Sequence, residues 1–214
     1  MEALFIHGMG RTPLSGWLLL WQLRRAGIRT STFGYSASVE QFSRISDRLT
    51  ARVTAIAARD DYVLIGHSLG GVLLRAAMNS LPRSSRSPRH VFLLGSPIRA
   101  SRLAQRLQRN GVFRLLTHDC GRLLASAERM SALGPVPVPT TSIVGTRGLA
   151  ATQGAFVDEP NDGIVSVTEA SAEWLADQVR VPCMHTFLPS SGRVAAAILE
   201  RLTNERAGTS RRDS

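Results

Sequence analysis

Lysine is missing altogether: the 26 basic residues of this 214-residue chain are all arginine, set against 16 acidic residues, for a net charge of +10. Arginine and lysine serve equally well for surface charge, so this absence reads as coding bias and weakens a nucleic-acid-binding interpretation. Cysteine is nearly absent too. Cys120 and Cys183 are the only two, their spacing suggests neither a metal nor a redox site, and they read as idle thiols. No histidine, cysteine and carboxylate cluster has metal-ligand spacing, and no glycine-rich phosphate loop occurs, so catalysis without a cofactor is expected. Long apolar runs are also missing. The densest, Trp17 to Trp21, is far too short to cross a bilayer, and the first residues lack the basic, apolar and small-residue sections of a secretory signal, so a cytoplasmic location is expected. No internal repeat is present. With 43% hydrophobic residues and a mean hydropathy near zero, the chain can bury one large core: a single domain over residues 1–203, followed by a polar tail, 204–214, expected to be disordered.

What is present begins with Asp61 to Leu81, DYVLIGHSLGGVLLRAAMNSL. Tyr62 to Ile65 form an apolar strand run, and Leu69, Val72, Leu73 and Ala76 recur at helical spacing. Between them, Gly66-His67-Ser68-Leu69-Gly70 fits a sharp strand-to-helix turn. Such a turn suits a nucleophile, because a serine hydroxyl is weak until it is aimed at a base and backed by amide N–H groups that can hold an oxyanion. Glycines two residues to either side of Ser68 remove side chains where strand and helix pass closest. The Leu69 N–H, at the helix N-terminus, is a candidate oxyanion donor. A five-residue pattern can also arise by chance, and only the flanking periodicity argues otherwise.

The first strand, Ala3 to Ile6, runs directly into His7-Gly8-Met9-Gly10 and then into a helix pattern through Trp17, Leu20, Trp21 and Leu23 that ends near Gly27. A glycine-rich turn after an early strand can supply a second oxyanion donor, assigned to the Met9 N–H, with Gly8 allowing close approach.

The segments FIHGMG (5–10), LIGHSLGG (64–71), LLGSP (93–97), SIVGT (142–146) and PNDGIVSV (160–167) resemble the alpha/beta-hydrolase superfamily, in particular its small lipases and deacylase-like serine esterases, over residues 3 to about 202. The resemblance implies an α/β fold: a mostly parallel sheet of about six strands with helices on both faces, and a nucleophile, acid and base in that chain order. Ser68 would be the nucleophile. Of the five histidines, at 7, 67, 90, 118 and 185, only His185 follows late enough to be the base; a loop histidine on the surface is the plain alternative. Asp158, Glu159 and Asp162 compete for the acid. Asp162, in an Asn-Asp-Gly turn, matches the aspartate that orients the histidine in the resembled lipases. His67 reads as a structural histidine, His7 as support for the oxyanion turn, and Ser96 as a pocket residue.

Strands are expected at Ile28–Phe33, Asp61–Gly66, His90–Leu94, Thr140–Gly145 and, weakly, Gln178–Val181. Ser38 and Gln41 suggest a capping box before a helix with the stripe Phe42, Ile45, Leu49, Val53 and Ile56. Segment 97–134 is either a lid over an acyl pocket or a crossover with extra packing. In it Arg99, Arg102, Arg106 and Arg109 fall on one helical stripe, and Leu115, Leu116, Leu123 and Leu124 suggest a second helix. The arginine-rich stretch is either a solvated face or a field that draws in an anionic lipid surface or acidic substrate. The expectation is a serine hydrolase cleaving small-molecule or lipid acyl esters through an acyl-enzyme on Ser68. An acyltransferase using the same groups, or a noncatalytic interaction module on the same fold, are the alternatives.

Overall fold

A computed structural model describes residues 1–148, 155–156 and 159–210, with side chains described through residue 204. Six strands form one sheet: β1 (Glu2–Ile6), β2 (Arg29–Phe33), β3 (Tyr62–His67), β4 (His90–Leu94), β5 (Thr140–Gly145) and β6 (Asp177–Val181). Their order is β2-β1-β3-β4-β5-β6 and every neighbouring pair is parallel. This is the expected α/β architecture.

Parallel strands need crossovers, and the helices that make them cover both faces. Alternation along the strands sorts the core: Leu4, Ile6, Leu64, Val91 and Leu93 pack with α2 (Phe42–Ala57) and α3 (Leu69–Asn79). Ala3, Phe5, Val63, Ile65 and Phe92 face the other way, onto α1 (Trp17–Arg25) and α7 (Gly192–Ser210). Because β3 lies inside the sheet with helices on both faces, all six of its residues are buried. Among the described residues no helix is long and apolar enough to cross a membrane.

Three local expectations are corrected. Ser38 and Gln41 form no capping box: the Ser38 hydroxyl donates to the Leu116 carbonyl at 2.7 Å, and the Phe42 N–H at the start of α2 donates to the Asp119 carboxylate, 77 residues away in sequence. The four arginines of segment 97–134 do not share a helical stripe. Ser101 caps α4 (Arg102–Leu107) by accepting from the Ala104 N–H, so Arg99 precedes the helix and Arg109 follows it. The second helix, α5 (Gly111–Ala125), breaks at His118, where φ is +42°; Leu115 and Leu116 before the break are exposed, whereas Leu123 and Leu124 after it are buried. The last helix, α7, spans Gly192–Ser210.

Segment 97–134, completed by α6 (Ala127–Ala132), is pinned at its two ends by one side chain. Arg75 of α3 is buried, and its guanidinium donates to the carbonyls of Ile98, Met130 and Gly134. Burial pulls its pKa down to about 10. The cation therefore sits at the C-terminal end of α6, where helix dipole and free carbonyls favour positive charge.

Candidate active site

β1 and β3 are adjacent, so the turns that leave them meet at one edge of the sheet. Ser68 sits between β3 and α3 with φ 52° and ψ −123°, a conformation rare for a residue with a side chain. Two glycines make that turn sterically feasible. A Cβ at Gly66 would stand 2.5 Å from the Gly71 backbone, and one at Gly70 would collide with the Ile6 carbonyl oxygen. The Ser68 N–H donates to Leu94 O at 2.9 Å, anchoring the turn to β4, and the Ser96 hydroxyl donates to Ser68 O.

The turn after β1 is braced from below. Tyr35 stacks on the His7 ring at 4.4 Å and donates its hydroxyl to His7 O at 2.9 Å. His7 Nδ1 donates to Gly8 O at 2.8 Å, which leaves Nε2 to accept from the Tyr35 N–H at 3.4 Å. Burial lowers the His7 pKa and raises that of Tyr35 well above its ordinary value, so both remain neutral in this packing. Met9 follows this braced pair. Among the described residues neither the Met9 nor the Leu69 N–H donates to a backbone carbonyl.

Asp162 and His185 lie after β5 and β6 at the same edge and are brought into contact: His185 Nδ1 is 2.8 Å from Asp162 Oδ2. A carboxylate accepts, so Nδ1 carries the proton and Nε2 presents a lone pair. The other carboxylate oxygen accepts from the Ile164 and Val165 N–H groups at 2.9 and 2.8 Å, and the His185 N–H donates to Asp162 O at 2.9 Å. Both side chains are buried. Gly95, φ +51°, leaves the room they need: a Cβ there would stand 2.8 Å from Asp162 Oδ2 and 3.0 Å from His185 Nδ1. The His67 ring packs 4.8 Å from that of His185. Among the described residues Ser68 Oγ makes no hydrogen bond, so hydroxyl and imidazole share the edge without being bonded; such contacts often close only when substrate is bound.

The rival acids are placed differently. Glu159 contacts the Arg102 guanidinium and accepts from the Thr168 N–H. Burial alone would raise its pKa, but hydrogen bonds from Thr168, Arg102 and Ser166 outweigh that and bring it to about 2. Asp158 lies outside the described residues. Glu169, which the sequence did not single out, is buried and accepts from the N–H groups of Arg102 and Ser166. Tyr35, Gly95 and Glu169 were missed because each acts through a partner distant in sequence; only Gly95 carried a signal, inside the LLGSP segment. Cys120 is buried, and its thiol is pushed up to about 12 by burial. Among the described residues no group of three or more histidines, cysteines or acids could hold a metal ion.

Comparison with known proteins agrees with this architecture. The chain is similar to the RedJ thioesterase of the prodiginine biosynthetic pathway in Streptomyces coelicolor, with 18% identity and a TM-score of 0.61 over 96% of this chain and 90% of that one. It is similar to the Bacillus licheniformis lipase BlEst2 in its propeptide form (15%, TM-score 0.67), covering 94% of this chain but 49% of that one. Polyneuridine aldehyde esterase is similar at 14% identity and a TM-score of 0.62, over 94% and 98% of the two chains. No curated protein sequence matches. The model of the alpha/beta hydrolase family matches residues 3–204, and the chain belongs to that family.

Proposed function

We propose that this protein is a serine hydrolase that cleaves carboxylic esters through an acyl-enzyme on Ser68. The observation that carries the reading is the pairing of His185 Nδ1 with Asp162 Oδ2 at the sheet edge where Ser68 is held at positive φ. With Nδ1 protonated, Nε2 is the free base, and the buried carboxylate stabilises the imidazolium when it forms.

In this mechanism Ser68 Oγ attacks the acyl carbonyl carbon as His185 Nε2 takes its proton. The oxyanion is held by the Met9 and Leu69 N–H groups, the second of which heads α3. Collapse expels the alcohol, protonated by His185, and leaves the acyl group on Ser68. Water, deprotonated by His185, then releases the acid. None of these steps distinguishes an oxygen from a sulfur leaving atom, so oxyesters and thioesters belong in one substrate panel.

A fluorophosphonate probe tests the reading. Mass spectrometry should map the label to Ser68, Ser68→Ala should abolish it, and a panel of acyl esters of increasing chain length should be hydrolysed by the wild type alone. Absence of labelling at Ser68 in folded protein would leave a noncatalytic module as the better description. Acyl transfer to added alcohol or amine in preference to acid release would point to an acyltransferase.

A further inference from the structure

In a parallel sheet every strand ends at the same edge, and apart from Trp17 and Trp21 on α1 the large exposed apolar side chains lie in the segments leaving those ends. Leu14 follows β1, Val39 follows β2, Leu115 and Leu116 lie in the insert after β4, Ile164 follows β5, and Phe187 follows β6. The exposed half of α5 is held at this edge by the Ser38 to Leu116 hydrogen bond and by the contact of Asp119 with the start of α2. Among the described residues, the connections at the opposite edge, 26–28, 58–61, 80–89, 133–139 and 171–176, expose no large apolar side chain.

Positive charge accompanies these apolar side chains. Arg11, Arg106, Arg109, Arg114 and Arg147 are exposed around the active-site edge, and none has an acidic partner among the described residues. Glu40, Asp119, Glu159 and Glu169, on that side, are already matched with Arg48, Arg129 and Arg102. At the opposite edge Arg29, Arg59, Arg86 and Arg201 face Asp60, Glu2, Asp61 and Asp177, while Arg24, Arg25 and Arg83 are exposed there with no acidic partner among the described residues, so unpaired arginine occurs at both edges and only the active-site edge joins it to exposed apolar side chains. One edge thus combines protruding apolar side chains with uncompensated guanidinium groups.

That combination fits an anionic lipid surface, where apolar side chains enter the acyl region while arginines engage phosphates. An acidic soluble protein would answer the charge but not apolar side chains spread singly around the whole edge. We propose that this edge docks on an anionic lipid bilayer and that the site takes its acyl substrate from that surface. Only the second half rests on the ester-hydrolase reading; docking itself requires no turnover.

Flotation of the full-length protein with vesicles tests it. At low salt, binding to mixed phosphatidylcholine and phosphatidylglycerol vesicles should be at least about tenfold tighter than to phosphatidylcholine alone and should weaken as salt rises. Ser68→Ala should bind equally well, which separates docking from catalysis. The double variants Leu115→Ser with Leu116→Ser and Arg109→Glu with Arg114→Glu should each weaken binding about tenfold. Arg83→Glu, at the opposite edge, should not, and unfolding midpoints check that all variants fold. No preference for anionic vesicles, an equal loss in Arg83→Glu, or capture by acidic soluble proteins alone would overturn the proposal. Vesicle binding without cleavage of any embedded ester would overturn the second half of the proposal and leave docking standing, whereas the ester-hydrolase reading itself stands or falls on Ser68 labelling and the acyl-ester panel.

Discussion

The His67 side chain grips the main chain of His185: its Nε2 lies 3.1 Å from the His185 carbonyl oxygen, and the two rings meet tilted by 40°, with centroids 4.8 Å apart. A carbonyl only accepts, so Nε2 of His67 carries the proton and Nδ1 is bare, buried and without a hydrogen-bond partner among the described residues. The residue beside Ser68 thus positions the residue paired with Asp162. His67→Phe keeps the ring and loses the donor. We expect kcat to fall about tenfold with little change in KM, read from steady-state kinetics on a short-chain ester; an unchanged kcat would show that the bond does not position His185.

The same histidine makes stability depend on pH. Burial, and secondarily the neighbouring His185, hold its pKa well below the ordinary 6.5. Above that pH the ring is neutral in folded and unfolded chains alike. As pH falls below it, the unfolded chain takes a proton that the folded one refuses, so stability drops, by up to about 1.4 kcal/mol per pH unit for one group. Urea unfolding between pH 7.5 and 5 should show a shallower decline in His67→Gln than in wild type.

Substitutions at Asp162 and Glu159 test the assignment of the acid. Asp162→Asn removes the acceptor that fixes the His185 tautomer, and we expect kcat to fall about a thousandfold or more. Glu159→Gln loosens the link to Arg102 and the Thr168 N–H, with an expected loss of about 1 kcal/mol of stability and less than a tenfold change in kcat. Comparable losses of kcat in both variants would mean that the acid has been assigned wrongly.

Tyr35→Phe removes only the hydroxyl that donates to His7 O. The expected cost is about 1 kcal/mol of stability, with a kcat loss larger than the KM change if the Met9 turn holds the oxyanion. Kinetics at matched temperatures below the unfolding transition measure both.

Arg75→Met leaves the Ile98, Met130 and Gly134 carbonyls without their donor, and about 2–4 kcal/mol of stability should be lost. Arg75→Lys should recover part of that, since one ammonium can serve fewer carbonyls than the planar guanidinium. Chemical denaturation of the three proteins provides the comparison.

Much of this was legible from local pattern. Gly66 and Gly70 around Ser68 announce a strand-to-helix turn because the steric demand falls on immediate neighbours, and the apolar spacing of α2 marks the face it buries. Ser38 shows where local pattern misleads. Its spacing to Gln41 suits a capping box, but its hydroxyl faces Leu116, and Asp119 takes over the start of α2. The expected arginine stripe failed for a related reason: periodicity assumes an unbroken helix, and Ser101 starts α4 only at Arg102.

Periodicity and turn chemistry, properties of residues within a few positions of one another, marked the strands, the helices α1, α2 and α3 and the special turn at Ser68, and the family resemblance implied the mostly parallel sheet. The contact of Asp162, rather than Glu159, with His185 and the tautomers of His67 and His185 were decided by tertiary structure. Each depends on which donor and acceptor meet across 20 to more than 100 residues of sequence, and a hydrogen bond's partner is set by where the packed sheet carries the two groups, not by their distance along the chain.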